Sequence, residues 1–126
     1  MSKIGSKSEL AIVLSKLKGF ETPKVRQEQY VMDSEIGATI LWNARLLGDI
    51  EKKTIADMGC GTGILGIGAM LLGADVVFFV DIDNIALDKA ENNVSKVKSE
   101  GYNIGQANFI CANIGKIELK TDIVIK

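Results

Sequence analysis

An aspartate followed by spaced glycines is the part of this 126-residue sequence with the clearest chemical potential. The segment DMGCGTGILG contains Asp57, Gly59, Gly61, Gly63 and Gly66. Glycine has no Cβ atom, so a glycine-rich backbone can turn sharply and approach a ligand closely. Two patterns overlap here: G-x-G-x-x-G, the dinucleotide fingerprint, and D-x-G-x-G-x-G. The spacing therefore predicts a ligand-binding turn, although G-x-G-x-x-G on its own is weak evidence for a particular ligand.

The charge of Asp57 helps to choose the ligand. We predict that Asp57 lies where a strand enters the turn, at the carboxyl end of a sheet where ligands bind. A carboxylate a few ångström from an anionic pyrophosphate is repulsive, whereas a ligand with an ammonium group is attracted. The alternative is that Asp57 only accepts backbone N–H bonds within the turn. Gly66 has its own alternative, which is close packing of a helix on a strand.

Two further acids follow the apolar run VVFFV. An acid at the tip of the second strand accepts hydrogen bonds from ribose hydroxyls, both in NAD sites and in other adenosine sites. Asp81 and Asp83 are two residues apart, and only one of them need bind the ligand. We predict that Asp81 binds ribose and that Asp83 caps the following helix.

Strands and helices alternate around these residues. The predicted strands are KTIADM (53–58), DVVFFVDID (75–83), ANFICANI (107–114) and TDIVIK (121–126), the last as a buried strand. The predicted helices between them are ILGIGAMLLGA (64–74) and ALDKAENNVSKVKSEG (86–101). Alternation of this kind predicts an α/β fold: a Rossmann-like, doubly wound, mainly parallel sheet with strand order 3-2-1-4.

Two helices are predicted before the first strand. One covers 8–18 with Ser8 as N-cap and Gly19 as its end, and the other covers 35–47 with Asp33 or Ser34 as N-cap and Gly48 after it. Their predicted core faces are Leu10, Val13, Leu14 and Leu17 in the first, and Ile36, Ile40, Ala44 and Leu47 in the second. We expect residues 1–52 to form a helical extension packed on the same domain as the cofactor-binding half, 53–126.

The composition of the chain excludes several classes of function. Hydrophobic residues make up 47% of the chain and the net charge is −1, so the total charge does not indicate a nucleic-acid or anionic membrane partner. The chain has no histidine, which excludes histidine-based metal sites and Ser/His/Asp chemistry within it. Cys60 and Cys111 follow strands about 9–10 Å apart, too far for a disulfide. With no signal sequence and no membrane-spanning run, we expect a reducing cytoplasm.

At these residues the sequence resembles the Rossmann-type S-adenosylmethionine-dependent methyltransferases. IADMGCGTG matches their first motif, VDIDNIAL their second-strand acid motif, and ANFICANI their third strand. RQEQY (26–30) adds a narrower resemblance, to the archaeal and eukaryotic adenine-N6 methyltransferases of small-subunit ribosomal RNA. Two departures are Val31-Met32 in place of the usual Pro-Thr, and Asn113 in place of Asp. Asn113 Oδ1 can still accept a hydrogen bond from the adenine amino group.

The resemblance implies a cofactor, S-adenosyl-L-methionine, and a set of residues that bind it. Gln29 folds over the cofactor, the glycine turn cradles its methionine part, Asp81 holds the ribose, and Asn113 with Ile114 contacts the adenine. The full predicted set is Gln29, Asp57, Gly59, Gly61, Thr62, Gly63, Ile64, Asp81, Ile82, Asn113 and Ile114.

The resemblance also implies what should follow TDIVIK. In this subgroup the fourth strand runs into Asn-Pro-Pro-Phe or Asn-Pro-Pro-Tyr, the catalytic motif, so we predict no catalytic residue within the chain and a continuation past Lys126. Strand 121–126 would present an open edge that needs this C-terminal part or a partner. The implied partners are ribosomal RNA and a small zinc-binding activator protein. The open alternatives are a methyltransferase of protein or small molecules, an NAD-binding oxidoreductase half, and a non-catalytic cofactor-binding module.

Overall fold

The computed structural model describes residues 4–17 and 33–125. Its helices are α1 (Lys7–Ser15), α2 (Ser34–Leu46), α3 (Ile64–Leu71) and α4 (Asn84–Ser99), with a short 3-10 helix at Ile114–Lys116. Its strands are β1 (Thr54–Met58), β2 (Val76–Asp81), β3 (Gln106–Cys111) and β4 (Ile123–Ile125). Within the described ranges, no helix has both the length and the apolar character needed to cross a bilayer.

The four strands form one parallel sheet in the order β3-β2-β1-β4, as predicted. Asp57 near the end of β1 pairs with Phe79 of β2 on one side and with Ile125 of β4 on the other. Because the strands are parallel, their carboxyl ends meet at one edge of the sheet, where ligands of such folds bind. The α/β fold is therefore confirmed together with its strand order.

Strand β4 is an edge strand of the sheet, as the predicted strand order implies, but it is less buried than its sequence pattern predicts. The sequence pattern predicts a buried strand, but Val124 is 51% exposed and its neighbours Ile123 and Ile125 are only half-buried. The reason is its place in the sheet, since β1 is its neighbour on one side and it is the last strand of the order. Its register is fixed at the start, where the Thr54 N–H donates to Asp122 Oδ2 at 2.9 Å.

The core lies between the sheet and the helices. Ile55, Val77 and Phe79 project from the sheet into one apolar cluster that includes side chains of all four helices. The rings of Phe79 and Phe109 stack with centroids 5.1 Å apart. The predicted face of α1 is confirmed, because Leu10, Val13, Leu14 and Leu17 are all buried. The division into a 1–52 extension and a 53–126 half stays a proposal.

The start of α1 corrects one prediction. Ser6, not Ser8, is the N-cap: its Oγ accepts the Glu9 N–H at 3.1 Å, and its backbone is extended. Ser6-Lys7-Ser8-Glu9 has the S-x-x-E spacing of a capping box, which distinguishes the two serines. Asp33, one of the two predicted candidates, caps α2, because its Oδ1 accepts the Glu35 N–H at 2.8 Å.

The buried face of α2 is also a correction. Ile36 and Ile40 are about half-exposed and Leu47 is 77% exposed, whereas Ala38 and Leu41 are buried. Of the predicted face, only Ala44 packs against the core, and it is partly buried. Helix α2 contacts both α1 and α3, and these contacts use its small-residue stripe. The approach to α3 is close, since a Cβ atom on Gly68 would lie 2.3 Å from Leu41 Cδ1. Close helix packing therefore selects the Gly37–Ala38–Leu41 side over the bulkier isoleucine stripe.

The third predicted strand ends early. Strand β3 stops at Cys111 instead of Ile114, and Asn113 then caps the 3-10 helix by accepting the Gly115 N–H at 2.9 Å. An asparagine side chain readily bonds a backbone N–H two residues ahead, which favours a turn over a continued strand. This break places Asn113 at the carboxyl edge of the sheet.

Candidate cofactor site

The glycine turn between β1 and α3 needs its glycines. Gly59, Gly61 and Gly63 have φ values of +77°, +57° and +85°, in the left-handed region that favours glycine. Apart from the adjacent residues in the chain, no described atom lies within 4 Å of a Cβ built at Gly59 or Gly61, whereas one at Gly63 would lie 3.1 Å from Ala90 Cβ. The turn is therefore open along Gly59–Gly61 and tightly packed at Gly63.

The end of β2 holds this turn in place. The N–H groups of Gly59 and Cys60 both donate to the Val80 carbonyl, at 2.7 and 2.9 Å. The Gly61 N–H donates to Asp81 Oδ2 at 2.9 Å. The backbone conformation of the open glycines is thus set by β2 before any ligand binds.

Asp81 and Asp83 have the separate roles that the sequence suggests. Asp81 Oδ1 accepts the Asp83 N–H at 2.9 Å, so both oxygens of the Asp81 carboxylate are bonded to backbone. Each oxygen has further acceptor capacity for a ligand hydroxyl. Asp83 is the N-cap of α4 and accepts the Ile85 N–H at 2.9 Å, which confirms the predicted cap.

Asp57 is buried beneath the turn. It is 4% exposed, and its Oδ2 accepts the Gly66 N–H at 3.0 Å. Burial raises the pKa of Asp57 to about 7; the Gly66 N–H bond lowers it and the charge of Asp81 adds to the increase. Both protonation states are therefore populated near neutral pH, and a nearby cation would favour the ionised one.

Gly66 has the packing role considered as its alternative. A Cβ atom there would lie 2.4 Å from Phe79 Cε1 and 3.0 Å from Asp57 Oδ2. The absence of a side chain lets the first turn of α3 reach both β2 and the Asp57 carboxylate. Gly66 thus positions Asp57 instead of facing the open side of the turn.

A small cavity lies beside the open glycines. Its volume is about 170 Å³, and its lining residues are Gly59, Asp81, Ile82, Ala112, Asn113 and Ile114. The structure thus brings together five of the predicted cofactor residues, from three separate parts of the chain. Ile82 is 69% exposed and Ile114 is 47% exposed, so two apolar side chains are presented to solvent at this cavity. The arrangement suits a ligand with a flat apolar part next to hydroxyl groups.

Other predicted residues lie behind the turn. Thr62 and Ile64 are buried, and Gly63 packs against α4, so none of the three lines the cavity. Gln29 lies outside the described residues. The Cys60 thiol is not a candidate nucleophile, because burial, reinforced by the charges of Asp57 and Asp81, raises its pKa well above the usual range. Cys60 and Cys111 are both free thiols, as predicted.

Two residues near the turn escaped sequence reasoning. Ala112 lines the cavity, but alanine has no functional group that would mark it as a site residue in the sequence. Asn93 is buried on α4, and its Nδ2 donates to the Thr62 carbonyl at 3.0 Å. Asn93 could have been found, since it is a polar residue on the apolar stripe of α4 between Ala90 and Val97.

Comparison with known proteins gives the family. Residues 40–126, most of the chain, match the sequence model of the ribosomal protein L11 methyltransferase (PrmA) family. The chain belongs to the PrmA methyltransferase family. The resemblance to methyltransferases that the glycine turn and Asp81 predict is thereby confirmed.

Relatives of this PrmA-family chain divide into long and short matches. It is 36% identical over 118 residues to the rRNA N(6)-adenosine-methyltransferase METTL5 of Danio rerio, covering 93% of the chain and 56% of that protein. A ribosomal protein L11 methyltransferase from a Cyanothece species is 50% identical, but over only 46 residues, 36% of the chain and 16% of that protein. The chain thus spans about half the length of the zebrafish relative.

A solved structure supports the longer match. A Pyrococcus horikoshii protein provisionally assigned as an RNA methyltransferase is 43% identical to this chain, with a TM-score of 0.79. The similarity covers 94% of this chain and 57% of the Pyrococcus protein. The fold of the described residues is therefore shared with a methyltransferase relative over nearly the whole chain.

Proposed function

We propose that the whole protein is an S-adenosyl-L-methionine-dependent methyltransferase that methylates N6 of adenine in ribosomal RNA, and that this chain carries its cofactor-binding half. One observation carries the proposal: the open glycine turn is bonded to Asp81 beside a cavity that Asn113 and Ile114 complete. The glycine turn and the residues proposed to bind ribose and adenine thus lie at one edge of the sheet, which supports the proposal.

The residues present fit the proposed cofactor. Gly59 and Gly61 leave room where a side chain would stand, so a ligand can lie against their backbone. Asp81 would accept the ribose hydroxyls, and Asn113 with the exposed Ile82 and Ile114 would hold the adenine. The bound cofactor would supply an electrophilic methyl group on a sulfonium centre.

Asp57 would act through its charge. It lies beneath the turn, and a ligand that carries an ammonium group would stabilise its ionised form. An anionic pyrophosphate would instead favour the protonated form, at an additional free-energy cost for binding. Asp57 therefore favours S-adenosyl-L-methionine over a dinucleotide as the ligand of this turn.

Ribosomal RNA is the proposed substrate because of the extent of the matches. The adenosine-methyltransferase relative aligns with 93% of the chain, including the region before β1, whereas the L11 methyltransferase relative aligns with 36%. A cofactor turn alone would be shared by both classes, so the longer alignment carries more weight. Methylation of a protein is the second candidate, favoured by the family match.

Three further proposals rest on the resemblance described above. They are a small zinc-binding activator protein as partner, a cytoplasmic location, and a catalytic Asn-Pro-Pro-Phe or Asn-Pro-Pro-Tyr motif outside residues 1–126.

Calorimetry with S-adenosylhomocysteine, the demethylated product, tests the cofactor. We expect the chain to bind it. Asp81→Ala should weaken binding at least about tenfold, because the charge-assisted hydrogen bond to the ligand and the bond from the Gly61 N–H are both lost. Asp83→Ala is the matched control: it removes a helix cap at a neighbouring carboxylate but should bind within about twofold of wild type. Absence of binding by the folded wild-type chain would refute the proposal.

A second experiment tests the substrate with the whole protein. Methyl-labelled cofactor is incubated with ribosomal subunits, and the label is followed through nuclease and protease digestion. We expect it in N6-methyladenine released from RNA. Label that instead remains in protein would replace the RNA proposal with the second candidate.

A further inference from the structure

Asn93 is a buried polar side chain that the proposed cofactor contacts do not use. It lies on α4, is 2% exposed, and donates from Nδ2 to the carbonyl oxygen of Thr62, 31 residues earlier in the chain. A buried amide needs hydrogen-bond partners, so this position costs free energy unless the bond is made. One partner of the Asn93 amide is thus the backbone of the glycine turn.

The bond fixes one peptide group of the turn. The Thr62 carbonyl and the Gly63 N–H belong to the same planar unit. Asn93 binds the carbonyl at 3.0 Å, and the Gly63 N–H donates to the Cys60 carbonyl at 2.9 Å. With both polar atoms held, this peptide cannot rotate without breaking two hydrogen bonds.

Helix α4 contacts the turn at a second point on the same face. Ala90 lies three residues before Asn93, so the two side chains are neighbours on the helix. The Ala90 Cβ is close enough to Gly63 that a Cβ there would lie 3.1 Å away. An apolar contact and a hydrogen bond together seat α4 against the rear of the turn.

The opposite side of the turn is held by Asp81, through the Gly61 N–H bond at 2.9 Å. Gly61 and Thr62 share a peptide bond, so a rotation at Thr62 would displace the Gly61 backbone from Asp81. We infer that Asn93 is a positioning residue, which fixes the Thr62–Gly63 peptide and so keeps the open glycines in their ligand-binding conformation. The identity of the ligand rests on the proposed function; the role of Asn93 in shaping the turn does not.

Asn93→Leu is the direct test, because leucine has the same number of side-chain heavy atoms as asparagine, also branched at Cγ, but no polar atom. The Thr62 carbonyl is then buried without this donor, and the turn is expected to relax. Val97→Ala is the matched control: Val97 lies on the same helix, is fully buried in the apolar core, and has no polar side-chain atom to bond the turn. Both variants lose stability, but only the first should alter the turn.

Two measurements on the full chain separate the roles. In S-adenosylhomocysteine calorimetry, at a temperature where circular dichroism shows each variant folded, we expect Asn93→Leu to bind at least about fivefold more weakly and Val97→Ala to bind within about twofold of wild type. In ligand-free amide NMR spectra, we expect the Gly61 and Gly63 signals to shift in Asn93→Leu and to stay in Val97→Ala.

The outcomes are distinct. Wild-type affinity together with unmoved turn signals in Asn93→Leu would overturn the inference. If the wild-type chain binds no S-adenosylhomocysteine, the proposed function fails, and the ligand-free spectra alone decide the role of Asn93. If Asn93→Leu does not fold, Asn93→Ala replaces it, since its smaller side chain leaves room for a water at the Thr62 carbonyl; the same criteria then apply.

Discussion

Replacing Asp57 with asparagine should remove a pH dependence from the stability of the fold. Burial raises the pKa of Asp57 from its ordinary value of 3.8 to about 7. Between these values the folded chain holds a proton that the unfolded chain has lost, so the unfolded state binds fewer protons. The free energy of unfolding of the wild type therefore falls as the pH rises from about 4 to about 7, and the contribution of Asp57 is constant above that.

The size of the effect follows from the two pKa values. One pH unit corresponds to about 1.4 kcal/mol, so the wild type loses up to about 4 kcal/mol over this range. Asparagine does not ionise, and its Oδ1 can still accept the Gly66 N–H. The difference in free energy of unfolding, Asp57→Asn minus wild type, should therefore rise by up to about 4 kcal/mol between pH 4 and pH 7.

Urea titrations at pH values from 4 to 8 measure this difference. Trp42 is the single tryptophan and is half-buried, so its fluorescence reports unfolding, with far-UV circular dichroism as the second probe. Subtracting the two proteins cancels the other ionisable groups. A difference that does not change with pH would show that Asp57 stays ionised in the fold, and a difference that shrinks as the pH rises would show that its pKa is lowered. Either result refutes the reasoning from burial.

Two further predictions test packing. Gly66→Ala should destabilise the chain by about 1–3 kcal/mol, because its Cβ would lie 2.4 Å from a ring carbon, whereas Gly5→Ala, whose Cβ would have 4.0 Å of clearance, should change stability by less than about 0.5 kcal/mol. Equal effects in thermal melts would contradict this. Ile36→Lys should lower the free energy of unfolding by less than about 0.5 kcal/mol and Leu41→Ala by about 2–5 kcal/mol, since only Leu41 is buried. A larger loss of stability for Ile36→Lys than for Leu41→Ala in urea titrations would show that the isoleucine face of α2 is a core face.

Patterns within short segments of this sequence were sufficient to predict the parallel sheet and the residues at the carboxyl ends of its strands. Right-handed crossovers between short strands leave few parallel arrangements, and the predicted order β3-β2-β1-β4 is the observed one. Asp83 could be assigned as a cap because an acid two residues after Asp81 begins the next helix. These features depend on residues close together in the chain.

Features that depend on distant packing were harder to predict. Helix α2 carries two apolar stripes, and periodicity shows both without showing which one α1 and α3 will cover. The close approach of Gly68 and Leu41 decides it. The contact between Asn93 and the turn could not be predicted for a related reason, because the Thr62 carbonyl lies 31 residues away and no side-chain pattern reveals it. Composition and spacing indicate which residues of a segment can form a contact, whereas the tertiary fold determines which partner they contact.

The two carboxylates of the site show how one turn can use the same residue type in different ways. Asp81 is partly exposed, bonds two backbone N–H groups and lines the cavity, so it is placed to exchange hydrogen bonds with a ligand. Asp57 is buried, bonds the start of α3, and has its pKa raised to about 7. Ionising Asp57 without a nearby cation costs free energy, and a cationic ligand offsets that cost. Under the proposed function, Asp81 would bond the hydroxyl groups of the ligand and Asp57 would favour a cationic ligand, which together suit a ligand with both a ribose and an ammonium group.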